Sequence, residues 1–557
     1  MSNTQSSKAP PRRSDVGGRE PDASPWSPLR RAVFRAVWTA AIASNIGTWM
    51  QSVGAAWLMT SLTPSPLLVA LMQTATSLPV FLLGLPAGAL ADVVDRRKLL
   101  LVTESWMLLV ALALGVLTLA GLISAWTLLA LTFLLGLGAA LDAPAWQAII
   151  PELVERQELP SAVALNATGF NVARAVGPAL GGLVVAAAGP AAVFLLNAAS
   201  FLCVLAAIYR WRRAHVPSDA PPEDMLGATA AGMRYVRHAP ALQAVLVRIG
   251  VFSLGASALW ALLPVVARRD LGLEATGYGI ILGSLGFGAV GGALLLPRLR
   301  RALSVDRLTG VATLVFAGAT LALAYLRFLP LLVACMMAGG VAWLAMMSSL
   351  TVAAQTAAPA WVRARALGIY LLVFQGLMAT GSFAWGALAQ QFGNAVALSV
   401  AAVALVVGLA ATRRWPLHAV QHLDLSPSSH WTDPTLAITP DPEDGPVLIT
   451  VEYRVPAERA GDFLEAMDAM RMFRRREGAV RWDLFRDLAE PDRYLETFVV
   501  LSWGEHMRQH ARVTVEDQAI EARAFLQEGV APVAAHLIAA RAYDRRTPAE
   551  PPYTELS

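Results

Sequence analysis

Between Val33 and Arg414 the sequence passes through one apolar run after another, each long enough to cross a bilayer and each ended by a short polar break. A hydrocarbon core of about 30 Å takes roughly 20 apolar residues in helical form. No water is present there to satisfy a peptide group, so each run must close its own hydrogen bonds, as a helix does. The expected spans are 33–60, 67–91, 98–120, 125–150, 161–188, 190–210, 241–267, 275–297, 305–327, 329–352, 363–390 and 393–412. Helices of soluble proteins are usually shorter and apolar along one stripe only. Only 15% of residues are charged, against roughly 25% in an average soluble domain. That charge gathers at the two chain ends and in the breaks, so the pI near 9.2 reflects topology rather than a nucleic-acid partner.

Lys and Arg set orientation. Arg30, Arg31 and Arg35 precede the first run. Arg96, Arg97 and Lys98 follow the second, Arg156 the fourth, and Arg210, Arg212 and Arg213 the sixth. Arg298, Arg300 and Arg301 follow the eighth, Arg363 and Arg365 the tenth, and Arg413 and Arg414 the last. The alternate breaks carry none, with Arg268, Arg269 and Arg327 as exceptions. The alternation predicts an even number of spans and both termini in the cytoplasm; the expected location is a bacterial inner membrane.

The chain divides as a tail at 1–32, a six-helix bundle at 33–211, a polar loop at 212–240, a second bundle at 241–414, a linker at 415–445, a soluble domain at 446–545 and a tail at 546–557. Within the central loop, Met225–His238 reads as a short helix on the membrane surface. Paired halves with a site between them are typical of secondary transporters. A primary pump would need a phosphate-binding GxxxxGK[ST], and none occurs. Cys203 and Cys335 lie in apolar runs and suggest neither a disulfide nor a metal site.

Two stretches carry mechanism. Gly88-Ala-Leu-Ala-Asp92-Val-Val-Asp-Arg96-Arg97-Lys98 joins the second and third spans. A small residue at Gly88 would let helices approach closely, and Asp92 at a helix end would pair with an Arg or a helix N-terminus to latch one conformation. In the fifth span, Arg174-Ala-Val-Gly177-Pro178-Ala-Leu-Gly181-Gly182 places a proline, which kinks a helix, among glycines that permit tight packing.

The first stretch resembles the loop signature of the major facilitator superfamily, Gly-x-Leu-Ala-Asp-Arg-x-Gly-Arg-Arg. Val93 and Asp95 stand where that signature has Arg and Gly. The second resembles the fifth-helix element of that superfamily's antiporters and exporters. Together with Trp49-Met-Gln-Ser-Val-Gly-Ala-Ala-Trp57, Leu141-Asp142-Ala-Pro-Ala-Trp-Gln147 and Asn171-Val-Ala-Arg174, they make the membrane part similar to the enterobactin-exporter-like branch. The resemblance implies an all-α membrane fold of 12 helices in two six-helix bundles and proton-driven export of siderophores, drugs or other small molecules.

Ionisable residues within spans are costly and functional by default. They are Arg174 in the fifth span, Asp142 in the fourth, Glu104 early in the third and Arg248 early in the seventh. Arg174 and Asp142 are expected as an intramembrane pair in which the carboxylate exchanges a proton; a purely structural ion pair is the alternative. Glu104 is expected near the interface. Asn45, Gln51, Gln73, Asn166, Asn171, Asn197, Gln355 and Gln375 are candidate pathway amides, and Trp49, Trp57, Trp260, Trp343 and Trp385 add aromatic surface. Helix–helix bonding is the alternative role for each amide.

After Arg414 the pattern changes to a strand at 447–455, an amphipathic helix at 458–477, a hairpin of 479–487 and 493–501 around Glu490, a helix at 503–527 and a strand at 531–540. That βαββαβ order is a ferredoxin-like unit. It resembles the dimeric α+β barrels of the antibiotic-biosynthesis-monooxygenase type, which implies homodimerisation through this domain. His506 and His510 stand four apart, the spacing of two metal ligands on one helix face, but no third ligand is evident and a packing role is preferred. No residue set establishes a catalytic site or a cofactor. The expected function is export of a small amphipathic molecule in exchange for protons; the alternatives are a facilitator importing a metabolite and a transporter fused to a working monooxygenase.

Overall fold

The computed structural model describes residues 24–211, 225–417 and 423–540, apart from 429, 432–433, 435, 439 and 526–532; at 89, 92–93, 225–230 and 525 it describes the backbone alone. The tail before residue 24, the first part of the central loop and the end of the chain lie outside the described residues.

Among these residues the first half comprises α1 (Ala32–Leu62), α2 (Pro66–Val93), α3 (Arg96–Leu119), α4 (Ala125–Leu153), α5 (Leu159–Ala188) and α6 (Pro190–Arg210). α7 (Met225–His238) is a helix over the bounds expected in the central loop. The second half comprises α8 (Pro240–Val265), α9 (Ala275–Ala302), α10 (Val305–Tyr325), α11 (Leu329–Thr356), α12 (Arg363–Phe392) and α13 (Asn394–Ala411). Eleven of the described helices are long and apolar enough to cross a membrane. The remaining long helix, α1, has 31 residues, but Asn45, Thr48, Gln51 and Ser52 dilute its hydropathy.

Local chemistry sets the helix ends. Ser65 caps α2 by accepting from the Leu68 N–H, Ser124 caps α4 and Ser304 caps α10, each satisfying a donor that the first helical turn leaves free. Asp95, which departs from the resemblance, is also a cap: its Oδ1 accepts from the Lys98 N–H at 3.0 Å and starts α3. Gly189 and Gly393 occupy matching places between the fifth and sixth helices of each half, at φ of 78° and 88°. Only glycine adopts that backbone without strain, so the two halves turn the same corner by the same means.

The halves meet along two seams, α2 against α12 and α5 against α9. Each seam joins the second helix of one half to the fifth of the other, as a two-fold relation between equivalent bundles requires.

The soluble unit contains β1 (Val447–Arg454), α14 (Ala460–Glu477), β2 (Arg481–Arg486), β3 (Arg493–Val500), α15 (Trp503–Arg512), α16 (Val515–Phe525) and β4 (Val533–Ile538). Its antiparallel sheet has the order β2-β3-β1-β4. Phe463, Met467, Met470 and Phe473 of α14 are buried against it. The single helix expected at 503–527 is two. Thr514 and Asp517 form a reciprocal cap, with the Thr514 Oγ1 accepting from the Asp517 N–H and the Asp517 carboxylate accepting from the Thr514 N–H. The linker holds the break open: the Ser428 N–H donates to the Val513 carbonyl, and the Val515 N–H to the Ser426 carbonyl. Periodicity alone misses such a break, because α15 and α16 are both amphipathic.

This unit sits on the second half. Arg234 of α7 pairs with Glu505 of α15 at 3.0 Å. Arg512 lies over the Trp361 ring at 4.2 Å, and Arg476 over the Tyr235 ring at 5.5 Å. The Tyr235 hydroxyl donates to the Ala357 carbonyl.

Candidate functional site

Arg174 stands midway along α5. Its guanidinium carbon lies 6.0 Å from the ring of Trp49 on α1, 5.8 Å from Trp260 on α8 and 5.9 Å from Trp343 on α11. The rings come from both halves. Within about 6 Å the negative face of an indole attracts a cation, so three rings stabilise the charge without neutralising it. Among the described residues no carboxylate pairs with Arg174. The Trp260 indole N–H beside it is buried and without a hydrogen-bond partner. Trp343 is backed by Phe252, Phe316, Phe374 and Trp260.

The expected pairing of Arg174 with Asp142 is therefore corrected. Asp142 Oδ1 accepts from the Thr103 Oγ1 of α3 at 2.7 Å, and its electrostatic neighbour is Glu104. Glu104 is 4% exposed, and among the described residues its Oε2 has no hydrogen-bond partner. The side chains that cross from α3 to α4 decide this arrangement, and a linear sequence gives no sign of which helix faces which. Two acids thus face each other inside the first bundle.

The motif in α5 forms part of two interfaces. A Cβ at Gly177 would lie 2.5 Å from Trp49 Cβ, and one at Gly181 2.8 Å from the Met50 Cα, both on α1. A Cβ at Gly182 would lie 2.7 Å from the Ala275 carbonyl oxygen on α9. The Pro178 carbonyl in turn faces Gly279, and the Arg174 carbonyl faces Gly286. Backbones this close admit only glycine, as small-residue packing in membranes requires. The α5–α9 seam is thus packed from the level of Arg174 to Gly182, which meets the start of α9.

At that same end the halves are laced by the arginines that break the charge alternation. A π-helical segment, Val266–Asp270, follows α8 and turns Arg268 and Arg269 toward the first half. Arg268 donates to Thr60 Oγ1 at 3.1 Å and lies over the Trp57 ring at 4.9 Å. Arg269 donates to the carbonyls of Thr63 and Pro64. Trp57 also stacks on Tyr278. Their role was legible only as the anomaly in the Arg count.

In the loop after α2, Arg96 donates to the Ala148 carbonyl and pairs with Glu152 at 2.9 Å, while Arg97 donates to the Ile208 and Tyr209 carbonyls. Both thus cap helix C-termini, of α4 and α6, where cations are favoured. A Cβ at Gly88 would meet nothing within 4 Å, so the close approach expected there is absent. Gly88 faces open space, although Ala87 and Ala91 on either side of it are buried. The Asp92 side chain lies outside the described residues. Arg248 pairs with Asp306 at 2.6 Å and donates to the Trp415 carbonyl, an anchor for the end of the second bundle.

The amides divide. Asn197 donates to Gln51 at 2.6 Å, tying α6 to α1. Gln73 donates to Ser77 one turn along. Asn45 and Asn171 donate to carbonyls four residues earlier. Gln355 is exposed and Gln375 half-buried, and neither has a hydrogen bond among the described residues.

In the soluble unit, Arg474 is buried between Glu496 and Glu521, each at 3.0 Å. Burial alone would lower its pKa, but the two carboxylates hold it above the usual guanidinium range.

A family model described as a transmembrane secretion effector matches residues 23–543. The chain belongs to this transmembrane secretion effector family of the major facilitator superfamily. The match extends through the soluble unit as well as the bundles. Among curated relatives, the multidrug efflux pump Tap of Mycolicibacterium fortuitum is 28% identical over 70% of this chain and 96% of its own. The enterobactin exporter EntS of Escherichia coli is 29% identical over 57% of this chain and 75% of its own. The staphyloferrin A transporter of Staphylococcus aureus is 24% identical over 50% and 70% respectively. The fold agrees with a bacterial homologue of the lysosomal transporter Spinster, at a TM-score of 0.57 and 15% identity over 71% of this chain and 97% of that one. The family and these relatives are transporters, not enzymes.

Proposed function

We propose that this secretion effector is a proton-coupled exporter of small amphipathic molecules that carry negative charge. Arg174 carries the reading. A cation midway along α5, ringed by indoles from both halves and without a counter-ion among the described residues, suits an anionic group attached to an aromatic or apolar body. The relatives that export enterobactin, transport staphyloferrin A and pump drugs support the direction and the siderophore or drug class.

In this reading α1 is the twelfth span, both termini are cytoplasmic and the membrane is a bacterial inner membrane. The arginine lacing at Arg268 and Arg269 then seals the outer mouth. Asp142 and Glu104 carry the proton: a second negative charge in hydrocarbon meets both the low dielectric and the first charge. The soluble unit is ferredoxin-like, because its strand order is that of the split βαβ, and it pairs two transporters.

The test uses proteoliposomes with an imposed pH gradient and a catecholate or hydroxycarboxylate siderophore as substrate. Asp142→Asn should abolish gradient-driven accumulation while sparing counterflow. Accumulation at the native rate would remove Asp142 from the coupling role, and counterflow of cationic but not anionic substrates would overturn the charge assignment.

A further inference from the structure

The third ligand missing from the sequence pattern comes from the sheet. His506 and His510 share one face of α15, and β4 brings His536 against them. One ligand nitrogen from each of the three lies within 4.8 Å of the others. His506 Nε2 and His510 Nε2 are 3.3 Å apart. Two imidazole nitrogens bound to one zinc ion at about 2.0–2.1 Å with a tetrahedral angle stand about 3.4 Å apart. The His506 and His536 ring centroids are 4.8 Å apart.

The surroundings prepare the donors. Gln509 donates its side-chain N–H to the Glu477 carbonyl, which orients its amide so that Oε1 faces His506 Nδ1 at 3.3 Å. Nδ1 then carries the proton and Nε2 keeps the lone pair aimed at His510. Such an outer hydrogen bond fixes the tautomer of a ligating histidine. Trp503 and Trp431 wall the cluster, at 5.3 Å from His506 and 5.0 Å from His510. The nearby cation, Arg474, is engaged by Glu496 and Glu521.

We propose that His506, His510 and His536 form a three-imidazole site for a divalent transition metal of the zinc class, with one coordination position open.

The test is a titration of untagged, full-length protein in detergent with Co2+ as a spectroscopic probe, followed by Zn2+. One equivalent should give the visible bands of a tetrahedral cobalt site, and Zn2+ should abolish them. His536→Gln, at a half-buried position on an edge strand, should weaken Co2+ binding at least tenfold with the circular dichroism unchanged. In the wild type, Zn2+ should also protect His510 and His536 from diethylpyrocarbonate, read by mass spectrometry. No cobalt bands, equal affinity in His536→Gln, or labelling unaffected by Zn2+ would each overturn the site.

Discussion

A guanidinium held by three indoles is poised for an anion because the rings stabilise its charge without cancelling it. Arg174→Gln removes the charge and keeps a polar group of similar reach. A hydrogen bond to a charged group contributes about 1.5–3 kcal/mol, so apparent affinity for an anionic substrate should fall roughly tenfold to a hundredfold. Uncharged drugs should be affected far less. Transport competition between the two classes measures this. The residue scale was also where reading the sequence was least sufficient. Arg174, Asp142, Glu104 and Arg248 stood out as charges in apolar runs, but their partners did not: Thr103, Asp306 and three tryptophans lie on other helices, at distances set only by packing. Asp95 looked like a departure from a signature and turned out to cap α3.

Individual elements were far more legible, because span length and cap chemistry are local. Every expected run became a helix, and Met225–His238 formed as expected. The α5 glycines were legible as a packing motif, though not that Gly177 and Gly181 serve α1 while Gly182 serves α9. This division makes a prediction. Gly182→Leu would force atoms into the α9 backbone, and overpacking costs about 1–3 kcal/mol. It should loosen the α5–α9 seam and raise passive leak of substrate, measured as efflux from loaded vesicles without a gradient. Gly88→Leu, in open space, should leave leak unchanged. In the soluble unit, Arg474→Met would strand the buried Glu496 and Glu521, and breaking such a network costs about 3–5 kcal/mol. Hydrogen exchange across β1 and β3 in the full chain should accelerate accordingly.

At the scale of the molecule, two bundles related by matching corners at Gly189 and Gly393 meet along equivalent seams, with the soluble unit fastened, among the described residues, to α7 and to Trp361 of the second half. Arg234→Glu would set like charge against Glu505 and should raise exchange in α15 without altering the bundles. We propose that export works by alternating access, the two halves rocking about the Arg174 cluster to which both contribute rings. Double electron–electron resonance tests it most directly, in a variant lacking Cys203 and Cys335, with one spin-label pair at Ser61 and Glu274 and another at Gln157 and Arg301. Reversing the pH gradient in the presence of an anionic substrate should lengthen the first distance and shorten the second. If both distances stay constant, or change in the same sense, the halves do not alternate and the account fails.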